Sequence, residues 1–527
     1  MKKIGFKNFR KFEKFPALSL GNINLLVGSN NAGKSSFVKA ALLIFNFIKT
    51  TVGDLSRNDV SGTISPEMNF DVSEPFDVHI GTFARAKRRQ SSDNEPIEFN
   101  FQIEQFSITT HVNTFLVDGK LNSESSTGNI NFISIIDNTN NIAYSIDYTT
   151  NRMFVEFLKG VSDDELKNMS GLSSEKEGLE KQLEVEKNFA EIIALKEKLN
   201  LLNKKINAWN SENNVEDLKL NLPLKEYLPN LSTLYLVNIL KSFIAYGDTP
   251  TPNTLAKNSI EYKEDVQNKN ILKSKTKLIE DGISRLENSI QSFDMEYIYA
   301  HAARQIIFFN SKDKNDYMAQ TIHEFVTSKA IYDNDIIGFI QRWMTIFNIG
   351  KAYELKNHGG EAYEVFINTS EGDSNLADMG MGSIQLMILL FKLGTFIKQY
   401  RNRTYPPIIL IEEPEQNIHP ILQSKLSELF WQLNEQYHFR FIIETHSEYL
   451  VRHCQVLAAK QIYENNMPLE KVNETIKVYY FSQDRGPIDM LFMDNAKFQE
   501  SFDEGFFDQA SKESLTISRL ERLHKTK

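Results

Sequence analysis

The spacing of apolar side chains divides the chain into regions of different predicted structure. In the first 27 residues, Ile4, Phe6 and Phe9 are separated by charged residues, and the apolar run 23–27 ends at Gly28, a pattern typical of strands. The mostly apolar segment 36–49 predicts a buried helix. From about 69 to 158 the runs are short and alternating, with Asn, Gly, Ser and Asp between them. This spacing predicts an antiparallel sheet.

Residues 162–300 are more charged, and their apolar positions follow helical spacing. Two stripes have the step of a coiled-coil seam. The first consists of Ile192, Leu195, Leu199, Leu202, Ile206 and Trp209, and the second of Leu272, Ile279, Ile283, Leu286, Ile290 and Phe293. Between them, 225–246 reads as a further apolar helix. Two interpretations stay open: an ordinary helical subdomain, or a projecting arm that docks a partner or a second protomer.

An α/β alternation returns after about residue 330. The pattern predicts helix 383–400, strand 406–411, helix 419–436 and strand 439–443. Strands that alternate with helices at this spacing form parallel βαβ units. The carboxyl ends of such strands are where α/β sheets bind ligands.

Composition narrows the class of protein. The 527 residues are 41% hydrophobic and 24% charged, as in soluble globular proteins, and the net charge is −10. A protein that coats DNA indiscriminately would be basic, so any nucleic-acid contact must be a local patch. The single cysteine, Cys454, forms neither an intrachain disulfide nor a cysteine metal cluster. The chain has no apolar run near the ~20 residues that span a bilayer and no secretory signal pattern, so we expect a cytoplasmic protein without a membrane partner.

The segment after the third predicted strand fits the phosphate-loop pattern G-x-x-x-x-G-K-[ST]. Its glycines let backbone N–H groups surround phosphate oxygens at a helix N-terminus. Lys34 supplies a charge for the β- and γ-phosphates, and the Ser35 hydroxyl is a ligand for Mg²⁺. The predicted nucleotide-binding residues are Gly28, Ser29, Asn30, Asn31, Ala32, Gly33, Lys34, Ser35 and Ser36.

Two later strands end in polar residues suited to nucleotide chemistry. The strand 406–411 runs into Glu412 and Glu413, and the strand 439–443 runs towards His446. The crossover geometry places His446 beside Glu413. We expect Glu412 to hold Mg²⁺ with Ser35, Glu413 to orient or deprotonate the attacking water, and His446 to contact the γ-phosphate.

Two weaker motifs accompany these. Gly380, Gly382 and Ser383 precede an apolar helix and form a candidate second anion cradle. The cluster Arg85, Lys87, Arg88 and Arg89 is a candidate DNA contact, although such a run is usually a solvated loop.

The order of these motifs resembles the ABC-type ATPases of the overcoming-lysogenization-defect, RecF and structural-maintenance-of-chromosomes group. The resemblance covers the first lobe and about 375–452, and leaves 162–300 uncovered. It implies that Lys34 and Ser35 are the Walker A pair, Glu412 and Glu413 the Walker B acids, and His446 the switch histidine. The resemblance also implies further roles: Gly380, Gly382 and Ser383 would be the signature that completes a partner protomer's site, Gln305 the Q-loop counterpart, and Arg304 a recurrent arginine of defence ATPases.

The tail 503–508 resembles the ATPases of Septu and retron-linked antiphage systems. The implied fold is an α/β ABC-type P-loop NTPase head, with a mixed sheet, an antiparallel β lobe and an α-helical or coiled-coil insertion. The expected divisions are an N-terminal lobe at 1–160, the insertion at 161–300, a C-terminal lobe at 301–460 and an extension at 461–527.

The implied function is an ATPase that dimerises, or forms a higher oligomer, on ATP and Mg²⁺ and regulates an HNH-type nuclease partner in antiphage defence. DNA or a retron nucleic acid is a further candidate partner. Acids after His446 form no D-x-D pair of a Toprim nuclease, so no nuclease activity is expected on this chain. The alternatives are a RecF-like or SMC-like DNA-repair ATPase and a scaffold that binds ATP without hydrolysing it.

Overall fold

The computed structural model describes most of the chain. The described residues are 1–49, 66–72, 78–92, 94–114, 116–117, 120–121, 123–150, 152–158, 218–223, 240–241, 244, 246–251, 257, 259–299, 303–309, 316–360 and 362–525. The first predicted seam, 192–209, lies outside these residues.

The strands in chain order are β1 Lys3–Phe9, β2 Phe12–Ser19, β3 Ile23–Gly28, β4 Glu67–Asn69, β5 Asp71–Val72, β6 Val78–His79, β7 Ile97–Ile103, β8 Phe106–Asn113, β9 Leu116–Val117, β10 Lys120–Leu121, β11 Thr127–Asp137, β12 Ile142–Asp147, β13 Arg152–Phe157, β14 Leu218–Pro223, β15 Met295–Tyr299, β16 Phe308–Phe309, β17 Ala352–His358, β18 Ala362–Thr369, β19 Gly372–Asn375, β20 Ile408–Glu412, β21 Arg440–Thr445, β22 Ile476–Ser482 and β23 Gly486–Asp489. The helices are α1 Lys34–Phe47, α2 Phe83–Ala86, α3 Ile260–Ser292, α4 Tyr317–Thr327, α5 Asn334–Ile346, α6 Met381–Tyr400, α7 Pro420–Tyr437, α8 Glu448–Tyr463, α9 Leu469–Thr475 and α10 Gln509–Lys525.

The larger sheet is antiparallel and belongs to the first part of the chain. Its order is β14-β13-β12-β11-β8-β7-β1-β2, with β4 paired to β11. In β7 and β8, buried and half-buried residues alternate, so one face of the sheet is turned to the core. The predicted antiparallel sheet is therefore confirmed. Strand β14 was not predicted: it lies in the segment expected to be helical, although Leu218, Leu220 and Leu222 do alternate there.

Helix α3 packs on this sheet through the second predicted seam. Its seam residues are buried in the same core as the sheet: Leu272, Ile279, Ile283, Leu286, Ile290 and Phe293. Arg285 lies 3.3 Å from the buried carboxylate of Asp137 at the end of β11. Of the two open interpretations, the docking arm does not apply to this seam, because the chain covers it with its own sheet. For α3, the interpretation as an ordinary packed helix applies.

The second sheet positions the site. Its order is β15-β20-β21-β3-β22-β23, and every pairing is parallel except that of β22 with β23. The predicted βαβ unit is confirmed as β20, α7 and β21. The buried Asn24 side chain donates to the carbonyl of Phe441 at 2.8 Å and ties β3 to β21. Parallel pairing brings the carboxyl ends of β3, β20 and β21 to one edge of the sheet.

A second core fills the space around α4, α5 and α6. A small antiparallel sheet, β16-β18-β17 with β19 paired to β18, adds to this layer. Helix α6 has the length and hydropathy of a membrane span, but 78% of its most apolar window is buried inside the protein. It is the central helix of this core. The chain thus has the expected α/β class, with a mixed sheet beside an antiparallel one.

Candidate functional site

The predicted phosphate loop connects the buried strand β3 to α1. Gly33 precedes the helix with φ 114°, and a Cβ there would lie 2.3 Å from the ring of Phe12. Only glycine fits both the backbone and the close ring. Among the described residues no side chain caps α1, so no side chain occupies the backbone N–H groups at its start.

Lys34 lies inside this loop with only 3% of its surface exposed. Its ammonium donates to the carbonyl oxygens of Gly28 at 2.9 Å and Ser29 at 3.2 Å. Burial lowers the pKa of Lys34, and the neighbouring charge of Glu444 opposes that shift. A buried ammonium in a ring of backbone groups is suited to a phosphate.

Other elements hold the loop from outside. Lys11, in the turn before β2, donates to the Asn31 carbonyl at 2.6 Å, and Gln483, after β22, donates to the Ser29 hydroxyl at 3.2 Å. Of the remaining predicted loop residues, Asn30 and Ala32 lie in the same turn and Ser36 lies in the first turn of α1. The C-terminal strand β22 thus contributes to the loop's support, which the motif alone does not indicate.

Glu412 and Glu444 stand opposite each other at the ends of β20 and β21. They are paired residues in the parallel register, so their side chains lie on the same face of the sheet. Glu412 accepts a hydrogen bond from the Tyr297 hydroxyl at 2.8 Å, and burial raises the pKa of its carboxyl.

Glu413 and His446 are brought together as the sequence predicts. The His446 Nε2 lies 3.5 Å from a Glu413 carboxylate oxygen, and the other oxygen accepts from Gln416. Glu413 has a φ of 41°, and its N–H donates to the Glu444 carbonyl at 2.8 Å, which turns the chain sharply after β20. The His446 N–H donates to Glu415 at 2.6 Å. Burial is the main cause of the lowered pKa of His446.

Sequence reasoning missed Glu444. This residue is 3% exposed, and its Oε1 accepts a hydrogen bond from the Ser35 hydroxyl at 2.9 Å. Its Oε2 is buried and has no hydrogen-bond partner among the described residues. Burial, followed by the charge of Glu412, raises the pKa of Glu444 to about 7. The available signal was an acid inside an otherwise apolar strand, two residues before His446.

This donor set suits a magnesium ion. Mg²⁺ prefers oxygen ligands and is commonly bound through one or two carboxylates and substrate phosphates. Ser35 and Glu444 offer a hydroxyl and a carboxylate at the loop, and Glu412 adds a second carboxylate opposite Glu444 in the sheet register. One Glu444 oxygen is without a hydrogen-bond donor in the described structure. Glu413, Glu444 and His446 also place their ligand atoms within 4.8 Å of one another.

A cavity of about 750 Å³ adjoins the loop at Gly33, Lys34, Ser35 and Ser36. Its size is typical of a site for a small ligand. Apart from Lys34, its charged lining residues are Arg10, Lys11, Arg85, Lys87, Arg88, Arg89 and the single acid Glu124. In a chain of net charge −10, this local excess of cations favours a polyanion.

The predicted signature lies elsewhere on the surface. Gly380 is the exposed residue before α6, and Gly382 and Ser383 are in the first turn. A Cβ on Gly382 would lie 2.5 Å from the Asn417 carbonyl, so this turn packs closely on the loop after Glu413. Within the described part of the chain, no hydrogen bond or ion pair joins these three residues to the phosphate loop.

Arg304 and Gln305 lie in the segment between β15 and β16. Arg304 is exposed and Gln305 is half-buried. No hydrogen bond or ion pair in the described residues connects either side chain to Lys34 or Glu413.

The residues of this site lie within a segment that matches a known protein family. The model of the family AAA_15, described as AAA ATPase domain, matches residues 1–451. The chain belongs to this AAA ATPase domain family. The match spans the phosphate loop, the acids at the strand ends and His446, so the site described above lies within an ATPase domain.

The solved structures that are distantly similar to this AAA ATPase include two SMC head domains. An Smc head domain with an extended coiled coil, bound to the C-terminal domain of ScpA and derived from Pyrococcus furiosus, is 11% identical, with 93% of this chain and 96% of that chain covered and a TM-score of 0.32. The SMC head domain from Thermotoga maritima is 10% identical, with 91% and 94% covered and a TM-score of 0.29. These similarities are too distant to inform the chemistry of the site. No curated protein matches the sequence significantly.

Proposed function

We propose that this AAA ATPase domain binds ATP with Mg²⁺ and hydrolyses it. The observation that carries the proposal is that Glu413 and His446 lie within the electrostatic reach of Lys34 in the loop. The His446 Nε2 is 3.5 Å from a Glu413 carboxylate oxygen. The phosphates would lie in the loop at the N-terminus of α1, beside the basic side chains that line the adjoining cavity.

Each group has a definable chemical role in this proposal. Lys34 binds the β- and γ-phosphates, and Glu413 orients the water and accepts its proton. His446 donates a hydrogen bond to the γ-phosphate. Ser35 and Glu412 would hold the magnesium ion, which neutralises phosphate charge when it is bound.

We further propose that ATP joins two protomers head to tail. Gly380, Gly382 and Ser383 sit at an exposed helix N-terminus, whose N–H groups suit an anion from another molecule. Their lack of contact with the phosphate loop, within the described residues, agrees with action in trans.

The biological output we propose is regulation of a partner nuclease in antiphage defence, in the cytoplasm. Support comes from the order of the motifs and from the tail 503–508, which resemble ATPases of that class. An HNH-type nuclease is the proposed effector, with DNA or a retron nucleic acid as a further ligand. On this proposal the chain divides at 160, 300 and 460 into two lobes, an insertion and an extension.

One structural observation bears on the DNA-repair alternative. Arg85, Lys87, Arg88 and Arg89 line the same cavity as the phosphate loop. Nucleotide phosphates therefore account for the basic cluster without a DNA duplex. Stimulation of ATP turnover by DNA would favour repair instead, and tight ATP binding with no turnover would favour the scaffold.

Two variants test the ATPase proposal. Lys34→Ala removes the phosphate charge and is expected to abolish ATP binding. Glu413→Gln keeps the size of the side chain and removes the base, so binding should persist while turnover falls by about 10²–10⁴-fold. Equilibrium binding of a fluorescent ATP analogue and steady-state phosphate release measure the two effects. Equal ATP affinity in the wild type and Lys34→Ala would refute the loop assignment.

A further inference from the structure

The buried carboxylate of Glu444 has one oxygen that the protein itself does not use. Oε1 accepts from the Ser35 hydroxyl at 2.9 Å, whereas Oε2 is enclosed without a hydrogen-bond partner in the described residues. A buried carboxylate with an unsatisfied oxygen is unfavourable unless a cation or donor compensates it. Its surroundings add the like charge of Glu412, which stands opposite it in the sheet register.

The neighbouring cation Lys34 does not hydrogen-bond to the Glu444 Oε2 in the described structure. The Lys34 ammonium donates to the carbonyl oxygens of Gly28 and Ser29, and no hydrogen bond joins it to Glu444 in the described structure. A divalent ion with a preference for oxygen ligands would satisfy Oε2 and reduce the repulsion between the two carboxylates.

The Ser35 hydroxyl is also oriented for such an ion. When Glu444 is ionised, the Ser35 hydrogen is directed at it, because a carboxylate can only accept. Both lone pairs of the Ser35 oxygen are then free for a metal. Glu412 is positioned separately, by the Tyr297 hydroxyl at 2.8 Å.

We propose that Glu444 is a magnesium-holding residue of the nucleotide site, which acts with Ser35 and shares the ion with Glu412. The assignment rests on the proposed ATP binding and adds an acid from a different strand to the two Walker B carboxylates. Glu444 thereby has two functions: it fixes the Ser35 hydroxyl, and it supplies negative charge to the ion.

The test measures the magnesium requirement of nucleotide binding rather than turnover. Affinity for a non-hydrolysable fluorescent ATP analogue is determined with EDTA and across a titration of free Mg²⁺. Glu444→Gln preserves the acceptor for Ser35 and removes the charge, so the Mg²⁺ concentration at half-effect should rise about 10–100-fold. Affinity in EDTA should not fall, because the substitution removes a negative charge beside the phosphate site. The affinity for Mn²⁺, measured by electron paramagnetic resonance with the same analogue, should fall in parallel.

Glu448→Gln is the matched control, because Glu448 begins α8 and pairs with Arg452. It should retain the wild-type Mg²⁺ requirement. Glu444→Asp keeps the charge, so it should lie between the wild type and Glu444→Gln, and it serves as the test if the glutamine variant fails to fold. Thermal unfolding without nucleotide shows whether Glu444→Gln folds.

The outcomes are distinguishable. If wild-type protein shows no Mg²⁺-dependent binding of the analogue, the proposed function fails. If the wild type shows it and Glu444→Gln has the same Mg²⁺ requirement, only the assignment of Glu444 fails. If Glu444→Ala shifts the requirement while Glu444→Gln does not, Glu444 only orients Ser35, and its role as a ligand is overturned.

Discussion

Replacing Ile283 with alanine tests whether the second seam is an internal contact or a docking surface. Ile283 is 2% exposed and lies in the middle of α3, in the core shared with the antiparallel sheet. The substitution removes three carbons from a site that the sheet cannot easily refill. Truncations of this kind cost about 2–5 kcal/mol in free energy of unfolding.

The magnitude is large enough to measure in a urea titration. With an m-value of about 3 kcal/mol/M, a loss of about 3 kcal/mol lowers the unfolding midpoint by about 1 M. Circular dichroism follows the unfolding, and light scattering on the same samples gives the mass. We expect the midpoint to fall, while the mass of the folded protein stays that of the wild type.

Ser284→Ala is the control, because Ser284 is the next residue of α3 and is exposed. Its effect should stay within about 0.5 kcal/mol. The reasoning is refuted if Ile283→Ala leaves the midpoint unchanged and lowers the mass, since the seam would then be an interface between molecules.

Two further predictions concern the proposed signature and the second core. Ser383→Arg and Glu413→Gln protomers should each lack ATP turnover, and mixing them should restore part of it. In a mixed dimer, one composite site has both the native Ser383 and the native Glu413. A mixture as inactive as either variant would contradict head-to-tail assembly. Hydrogen bonds from Lys398 and Arg401 hold the pKa of Asp333 at about 2, below its value in the unfolded chain. These contacts therefore stabilise the fold above about pH 4, and this stabilisation is lost as the pH falls towards 2. Asp333→Asn should therefore flatten the loss of stability in that range, measured as unfolding midpoint against pH.

Local pattern was sufficient for the elements that carry the nucleotide site. The strand before Gly28, the helix after Lys34 and the unit β20, α7 and β21 all have apolar runs whose length and flanking residues indicate the element type. The carboxyl ends of parallel strands lie at one edge of the sheet, so the predicted topology was sufficient to place Glu413 near His446.

Contacts between distant segments were not accessible in this way. Ser35 and Glu444 are 409 positions apart, and nothing near either residue encodes the other. The α3 seam indicated that something must cover it, but an apolar stripe does not specify its partner. Strand β14 was missed because six residues of alternation are a weak signal within a long charged segment.

The sheet order explains why the acids and the phosphate loop form one rigid unit. Strand β3, which leads into the loop, lies between β21 and β22, and its residues pair in register with both. The position of Lys34 relative to Glu444 is therefore set by backbone hydrogen bonds of a buried sheet rather than by flexible loops. Helix α6, which carries the proposed signature, has no backbone hydrogen bond to the phosphate loop within the described residues. If ATP drives a conformational change, we expect ATP binding to act mainly on contacts made by that exposed helix N-terminus. The sheet that carries the site residues has little freedom to move.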